Sequence, residues 1–406
     1  MTSEATQTAP VGRRRTLIAI AGLGATQIIG WGTTFSSLTI FGTTIGSDLG
    51  LSRETVFGGI TMMLLASALV ATRVGRYADR HGARPVMMTG SLLVTLSLIA
   101  LAFTQGVVTY LLAWTLVGIA MPMMLANTAL VGLVQIVGSN ARQAITGLML
   151  LSGLTGTVFL PLNAFLIAQV GWRNAYLCFA LLHLLVCLPI HALILRREAP
   201  EHTSAQRAAA DRTMDGLLPP EKRFKAFVML TIWSCTEGLI VWGLYMQIID
   251  VFKGMGLTAV AAVAVWAAVG PAQASARLGE LMFGGRYSIL TTALLSAGLS
   301  CGSFFLILPF SSSVMTAAAF AICLGLGHGF YAIARNTLPL TLFGVREYGT
   351  YLGRMMLPQS IVNAVAPILF ATMISRFDPA SALWFAAAAA FVGFMAVLML
   401  VRTCRS

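Results

Sequence analysis

Arg73-Val-Gly-Arg-Tyr-Ala-Asp-Arg-His-Gly-Ala-Arg-Pro85 is a charged, glycine-bearing stretch set between two apolar runs. Residues 55–72 before it are nearly charge-free and residues 86–103 after it carry no charge. Each run is about the ~20 residues that a helix needs to cross a bilayer. The stretch is too short to be a domain, so it is read as a loop that joins two membrane spans.

The rest of the chain fits that reading. Of its 406 residues 57% are hydrophobic and only 10% charged, and the mean hydropathy is +0.84. A soluble domain carries about 25% charged residues. The segments are apolar all round instead of along one stripe, so their solvent is lipid. The net charge of +12 is not a nucleic-acid footprint, because the basic residues fall in loops between spans instead of on one accessible face. The six cysteines match no zinc or redox spacing and are read as small apolar residues. No metal or cofactor is expected. Met121-Pro122-Met123-Met124 is read as packing, since consecutive residues do not share a helix face. The polar head ends at Arg13-Arg14-Arg15, and no small-residue cleavage site follows, so the first apolar run is taken as a span and not a signal peptide.

Apolar runs between charges and turn residues predict twelve helices, over 16–40, 54–74, 86–104, 107–136, 143–169, 173–195, 226–250, 258–283, 287–309, 313–338, 350–374 and 380–401. A barrel would need period-two alternation, which is missing. The fold class is therefore an all-α polytopic membrane protein, two six-helix bundles (16–195 and 226–401) joined by a polar linker (196–225), with tails at 1–15 and 402–406. With the N-terminus inside, 19 of the 26 Lys and Arg residues are cytoplasmic, 4 are outside and 3 lie within spans. That asymmetry puts both termini in the cytoplasm of a bacterial-type inner membrane.

The halves also resemble each other. Gly30-Trp31-Gly32 recurs as Val241-Trp242-Gly243, Gly50-Leu51-Ser52 as Gly256-Leu257-Thr258, Asn127-Thr128 as Asn336-Thr337, Gly147 as Gly353 and Pro161 as Pro367. The offsets are 211, 206, 209, 206 and 206. Five pairs in order at a nearly constant shift indicate duplication. Parallel six-helix repeats are a transporter architecture with the substrate near the midplane.

Gly75-Arg-Tyr-Ala-Asp79-Arg80-His-Gly82-Ala-Arg84 resembles the signature loop of the major facilitator superfamily, and it lies between the second and third helices, where that family has it. Gly171-Trp172-Arg173 after the fifth helix fits the same family. The resemblance implies alternating access by two six-helix halves. It also implies a conformational latch at Gly75, Asp79, Arg80, Gly82 and Arg84, in which Asp79 meets Arg80, Arg84 or the opposite bundle. The plainer alternative is a solvated loop obeying the positive-inside bias. The second-half copy of the loop has decayed to Gly279-Glu-Leu-Met-Phe-Gly-Gly-Arg286, so the latch is read as one-sided. Gly270-Pro271 with Ala276-Arg277, and Arg335-Asn-Thr-Leu-Pro339 with Gly344, loosely resemble the monocarboxylate-porter branch and its bacterial relatives. In that branch an eighth-helix arginine holds the substrate carboxylate, and Arg277 matches it by type and helix.

Ionisable residues inside a span are costly and mark function. Glu237, Glu280 and His328 are candidates for proton coupling, and Arg277 for the anion. Arg277 and Glu280, three apart on one helix face, either neutralise each other or part when substrate arrives. Gln27, Trp31, Asn127, Trp242 and Tyr331 are further candidates for substrate contact, each with helix packing as the alternative. The expected partners are a small anionic solute, protons and the bilayer, with no nucleic acid, and the chain is read as a monomer. The expected function is proton-coupled uptake of a small organic anion such as a carboxylate. Drug or metabolite efflux is the rival, weakened because a fifth-helix Gly-Pro-x-x-Gly-Gly element is missing and Trp114 stands where exporters have arginine. A membrane enzyme or receptor is the remote rival, since no catalytic constellation or appended domain is present.

Overall fold

Helix ends in this chain are set by glycine. In the computed structural model, which describes residues 13–137, 141–195, 218–308, 313–377 and 379–405, Gly50, Gly82, Gly171, Gly256 and Gly344 are the residues with positive φ. Each sits where one crossing helix ends and the next begins, in backbone space that a Cβ disfavours.

The crossing helices are α1 (Arg14–Leu49), α2 (Glu54–His81), α3 (Ala83–Ala102) and α4 (Val107–Val137). The run Ala141–Ile194 is divided by Gly171 (φ 74°) into α5 (141–170) and α6 (172–194). In the second half follow α7 (220–254), α8 (Ala259–Phe283), α9 (Ile289–Ile307), α10 (Val314–Phe343), α11 (Tyr348–Arg376) and α12 (Ala380–Arg405). All twelve expected spans are present. Helix α1 continues nine residues beyond the expected end at 40, and α7 starts at Pro220, six residues early, so 220–225 of the expected linker is helical. The rest of that linker up to 217 lies outside the described residues, as does most of the N-terminal tail.

The duplication is written into the backbone. After Gly50, Ser52 caps α2 by accepting from the Thr55 N–H, and after Gly256, Thr258 caps α8 by accepting from the Ala261 N–H. A free amide at a helix start is satisfied in the same way in both halves, 206 residues apart. Helices α1 and α7 each contain a π-helical turn, Gly32–Ser36 directly after Trp31 and Ile240–Leu244 with Trp242 at its centre. Gly32 lies against the ring of Phe159 on α5, and Gly243 against Phe370 on α11. These four positions repeat at an offset of 211, so the two halves share one packing scheme.

Apolar side chains form four buried clusters. One of them joins the halves: Ala78, Val131 and Leu133 of the first meet Tyr348 and Leu352 of the second. It lies at the face where α2 ends and α11 begins, and it is against this face that the halves are closed.

Candidate functional site

Two carboxylates hold that face shut. Asp79, near the end of α2, accepts from the Gly349 N–H (2.9 Å), the Thr350 N–H (2.8 Å) and the Thr350 hydroxyl (2.8 Å). Gly349 and Thr350 are the second and third residues of α11, whose own N-cap residue, Glu347, makes no side-chain cap. The free amides and dipole of the α11 start are thus met by a carboxylate from the other half. The approach depends on glycine: a Cβ on Gly75 would strike the Gly349 carbonyl, and one on Gly353 would come within 2.5 Å of the Ala71 carbonyl. Gly82, at φ 86°, turns the chain into α3, and Gln135 of α4 clasps the turn by donating to the Ala78 carbonyl and accepting from the Ala83 N–H. Asp79 forms no ion pair among the described residues; Arg80 is exposed and Arg84 half-buried. The expected contact with the opposite bundle is found, and the arginines are not its partners.

The second carboxylate is Glu280 on α8, whose side chain is fully buried. Arg142, at the start of α5, donates to its Oε1 from Nη2 (2.7 Å) and Nε (3.1 Å). Tyr287 donates to Oε2 (2.8 Å), and the Thr292 hydroxyl lies 3.3 and 3.2 Å from the two oxygens. This corrects the expectation of a one-sided latch and the expected pairing of Glu280 with Arg277. Glu280 is spoken for by a cation 138 residues away, and α2 to α11 and α8 to α5 are equivalent crossings between the halves. Arg142, read from sequence as an ordinary loop cation, is the residue whose role was missed.

One turn above Glu280, away from the closed face, Arg277 reaches a cavity of about 290 Å³ between the halves. Trp31, Phe35 and Ser36 of α1, Met149, Ser152, Gly153, Thr155 and Gly156 of α5, and Arg277 of α8 line it. Arg277 meets only neutral acceptors, both at 3.4 Å: the Met149 carbonyl and Gln273 Oε1. Its Nε is buried without an acceptor.

The remaining expected site residues divide into three groups. Trp31 is a cavity wall, and Trp242 stands edge-on to Phe35 (ring centroids 5.2 Å), joining α1 to α7. Glu237 (3% exposed), His328 and Tyr331 share one cluster in the second half: Tyr331 stacks on His328 (5.4 Å), meets Trp233 edge-on (5.1 Å) and lies 3.4 Å from the Ser234 carbonyl, one turn from Glu237. Gln27 and Asn127 are elsewhere. Gln27 is fully buried and donates to the Met124 carbonyl, pinning α1 to α4, while Asn127 donates to Met356 Sδ across the α4–α11 contact. Both serve helix packing, because a helix apolar on every side gives no phase from which to tell its cavity face.

Two histidines went unnoticed. His183 and His191 on α6 are fully buried, bonded to the Thr33 and Ser91 hydroxyls at 2.8 Å each. The rule that ionisable residues inside spans mark special positions would have found them.

A duplicated bundle of six plus six helices, closed at one face and holding a cavity between its halves, is the architecture of a secondary transporter. The model of the Major Facilitator Superfamily matches residues 22–357, and the chain belongs to that family of transporters; it is not an enzyme. No curated protein matches the chain. Among solved structures it is similar to the human organic anion transporter MFSD10 (TETRAN), with a TM-score of 0.72 at 14% identity over 95% of this chain and 99% of that one. It is also similar to the proton:xylose symporter XylE bound to 6-bromo-6-deoxy-D-glucose, with a TM-score of 0.71 at 14% identity over 96% and 94%. At these identities the likeness is one of fold.

Proposed function

We propose that the protein is a proton-coupled importer of a small organic anion, with a carboxylate as the leading class. The observation that carries this reading is Arg277: a guanidinium at the wall of the cavity between the halves, inside a span, with no ion pair among the described residues and one N–H unpaired. An intramembrane cation without a counter-charge is costly, and a substrate carboxylate accepts two parallel N–H bonds from such a group. Glu237 and His328 are the proton carriers in this scheme, set in the adjoining cluster, and Trp31, Trp242 and Tyr331 shape the path. That one protein of the same fold is an organic anion transporter, and another a proton symporter, is consistent with the reading.

The closed face is the cytoplasmic one by the distribution of Lys and Arg, so the cavity faces the outer side and the conformation is the one that receives substrate for uptake. The protein acts as a monomer in a bacterial-type inner membrane. The test is uptake of radiolabelled organic acids by protein reconstituted in liposomes under an inward proton gradient. The expected result is accumulation abolished by a protonophore and reduced at least tenfold in Arg277→Ala. Undiminished transport by that variant, or no acid transported at all, overturns the proposal.

A further inference from the structure

A second guanidinium is linked to the first through two intervening residues. Arg335 on α10 donates from Nη2 to Gln359 Oε1 (2.7 Å) and from Nη1 to Asn336 Oδ1 (2.9 Å), and its Nε is buried with no acceptor. Like Arg277, it forms no ion pair among the described residues. The partly buried Arg142 and Arg223, by contrast, each have a carboxylate within 4.0 Å.

The two free guanidiniums belong to one constellation. Arg277 Nη1 points at the Met149 carbonyl, Asn336 Nδ2 points at Met149 Sδ (3.4 Å), and Asn336 Oδ1 holds Arg335. Met149, part of the cavity wall, and Asn336 behind it therefore stand between the arginines, with Arg277 on the cavity side. Helices α8 and α10 both run toward the closed face, and side chains tilt toward the N-terminus of their helix. Both arginines accordingly reach away from the latches, toward the middle of the membrane. Between them they present two positive charges to neutral groups alone, and each keeps one N–H without an acceptor.

We propose that Arg335 forms with Arg277 a pair of cationic subsites divided by Met149 and Asn336, and that the transported solute is a linear dicarboxylate with one carboxylate on each arginine. This inference rests on the organic-anion reading and narrows it. A lone phosphate or sulfate does not fit, because its charge is centred on one atom and the two guanidiniums are separated by these side chains. Methionine suits the partition: its unbranched thioether withdraws through rotamer changes that a branched residue lacks. Two arginines and a neutral Glu237 sum to the charge that a dianion cancels, whereas an ionised Glu237 leaves a single charge, which a monoanion cancels. A dicarboxylate thus favours the protonated carrier, and this is a direct electrostatic route to proton coupling in a medium of low dielectric.

The experiment compares affinities of the full-length purified protein, by thermal shift and by competition in counterflow, for each α,ω-dicarboxylate from two to six carbons and for its half-amide. The half-amide keeps length and polarity and loses one charge. The expected result is that the best dicarboxylate binds at least tenfold tighter than its half-amide. Arg335→Gln brings the dicarboxylate to the level of the half-amide and leaves the half-amide within twofold, while Arg277→Gln weakens both. Equal binding of dicarboxylate and half-amide by the unaltered protein overturns the inference whether or not the variants fold, and leaves the organic-anion reading standing. An equal loss of both ligands in Arg335→Gln also overturns it. Binding of no acid of either kind removes the organic-anion reading itself.

Discussion

The two latches at the closed face are one design carried out in two chemistries. In the first half, the carboxylate of Asp79 is met by backbone N–H groups at the start of α11 and a hydroxyl, with no cation. In the second, the carboxylate of Glu280 is met by the Arg142 guanidinium at the start of α5, with Tyr287 and Thr292 completing its shell. Duplication preserved the crossings and what each carboxylate faces, the N-terminus of a helix in the other half, but not the carboxylate's position: at the offset of 206 Asp79 corresponds to Gly285, and Glu280 lies five residues earlier. Nor did duplication preserve the residue that answers the carboxylate. A backbone partner cannot be mutated away and demands close helix approach, so the first latch needs Gly75, Gly349 and Gly353; a long guanidinium spans a gap, so α5 and α8 need no such glycines.

This difference sets the order of expected effects. They are read as opening of the closed face, by spin-label distances between the exposed positions Tyr77 on α2 and Leu278 on α8 in a protein whose cysteines have been replaced. The largest belongs to Glu280→Gln. It leaves Arg142, only 22% exposed, without its counter-charge. Removing one partner of a buried pair costs about 3 kcal/mol, on the order of a 100-fold shift toward the open form. The reversed pair Arg142→Glu with Glu280→Arg restores part of the closed population, since side chains on both sides carry the contact. If the reversed pair opens the face as fully as Glu280→Gln, the contact is not an ion pair in function.

Asp79→Asn comes next, with a loss of about 2 kcal/mol, the upper range for a carboxylate at a helix N-terminus. An amide turned to accept keeps one or two of the three bonds but presents no charge to the dipole. No charge reversal at Arg80 or Arg84 rescues it, because neither is its partner; a rescue of that kind would show the first latch to be ionic like the second. Gly349→Ala is smaller, about 1 kcal/mol, in the range for modest overpacking: its Cβ would stand 2.8 Å from Asp79 Oδ1 and 2.9 Å from both the Gly75 carbonyl and Val131.

How far the sequence disclosed all this follows from the range of each signal. Spans, loops and the repeat were legible because bilayer thickness imposes a length and because Gly50, Ser52 and their copies Gly256 and Thr258 act on their immediate neighbours. Asp79 was legible through the glycines and charges around it. Glu280 was singled out as an acid inside a span but matched to Arg277. Arg142 was not singled out at all, since it looks ordinary among its neighbours and the pair exists only when α5 meets α8. Gln27 and Asn127 were assigned to the cavity for the same reason in reverse: a polar residue in a uniformly apolar helix announces that it needs a partner, and not which face supplies one. Arg335 was quoted only as part of a motif, although its place inside a span was the stronger signal.

The finest comparison removes one neutral donor from each latch. Thr350→Val takes a hydroxyl from Asp79, and Tyr287→Phe takes one from Glu280. A hydrogen bond to a charged group contributes about 1.5 kcal/mol or more, so a simple count gives the same result twice. The shells are not equal, however. After Thr350→Val, Asp79 keeps two amide N–H groups and no cation, so each remaining bond carries a larger share of the compensation for its burial. After Tyr287→Phe, Glu280 keeps a guanidinium and the Thr292 hydroxyl, and the charge is still answered. Thr350→Val is therefore expected to open the face by about 1 kcal/mol and Tyr287→Phe by roughly half that, toward the low end of the range for a net hydrogen bond. Equal effects would mean that the Arg142 guanidinium does not buffer its carboxylate, and the distinction between a dipole latch and a cation latch would reduce to geometry alone.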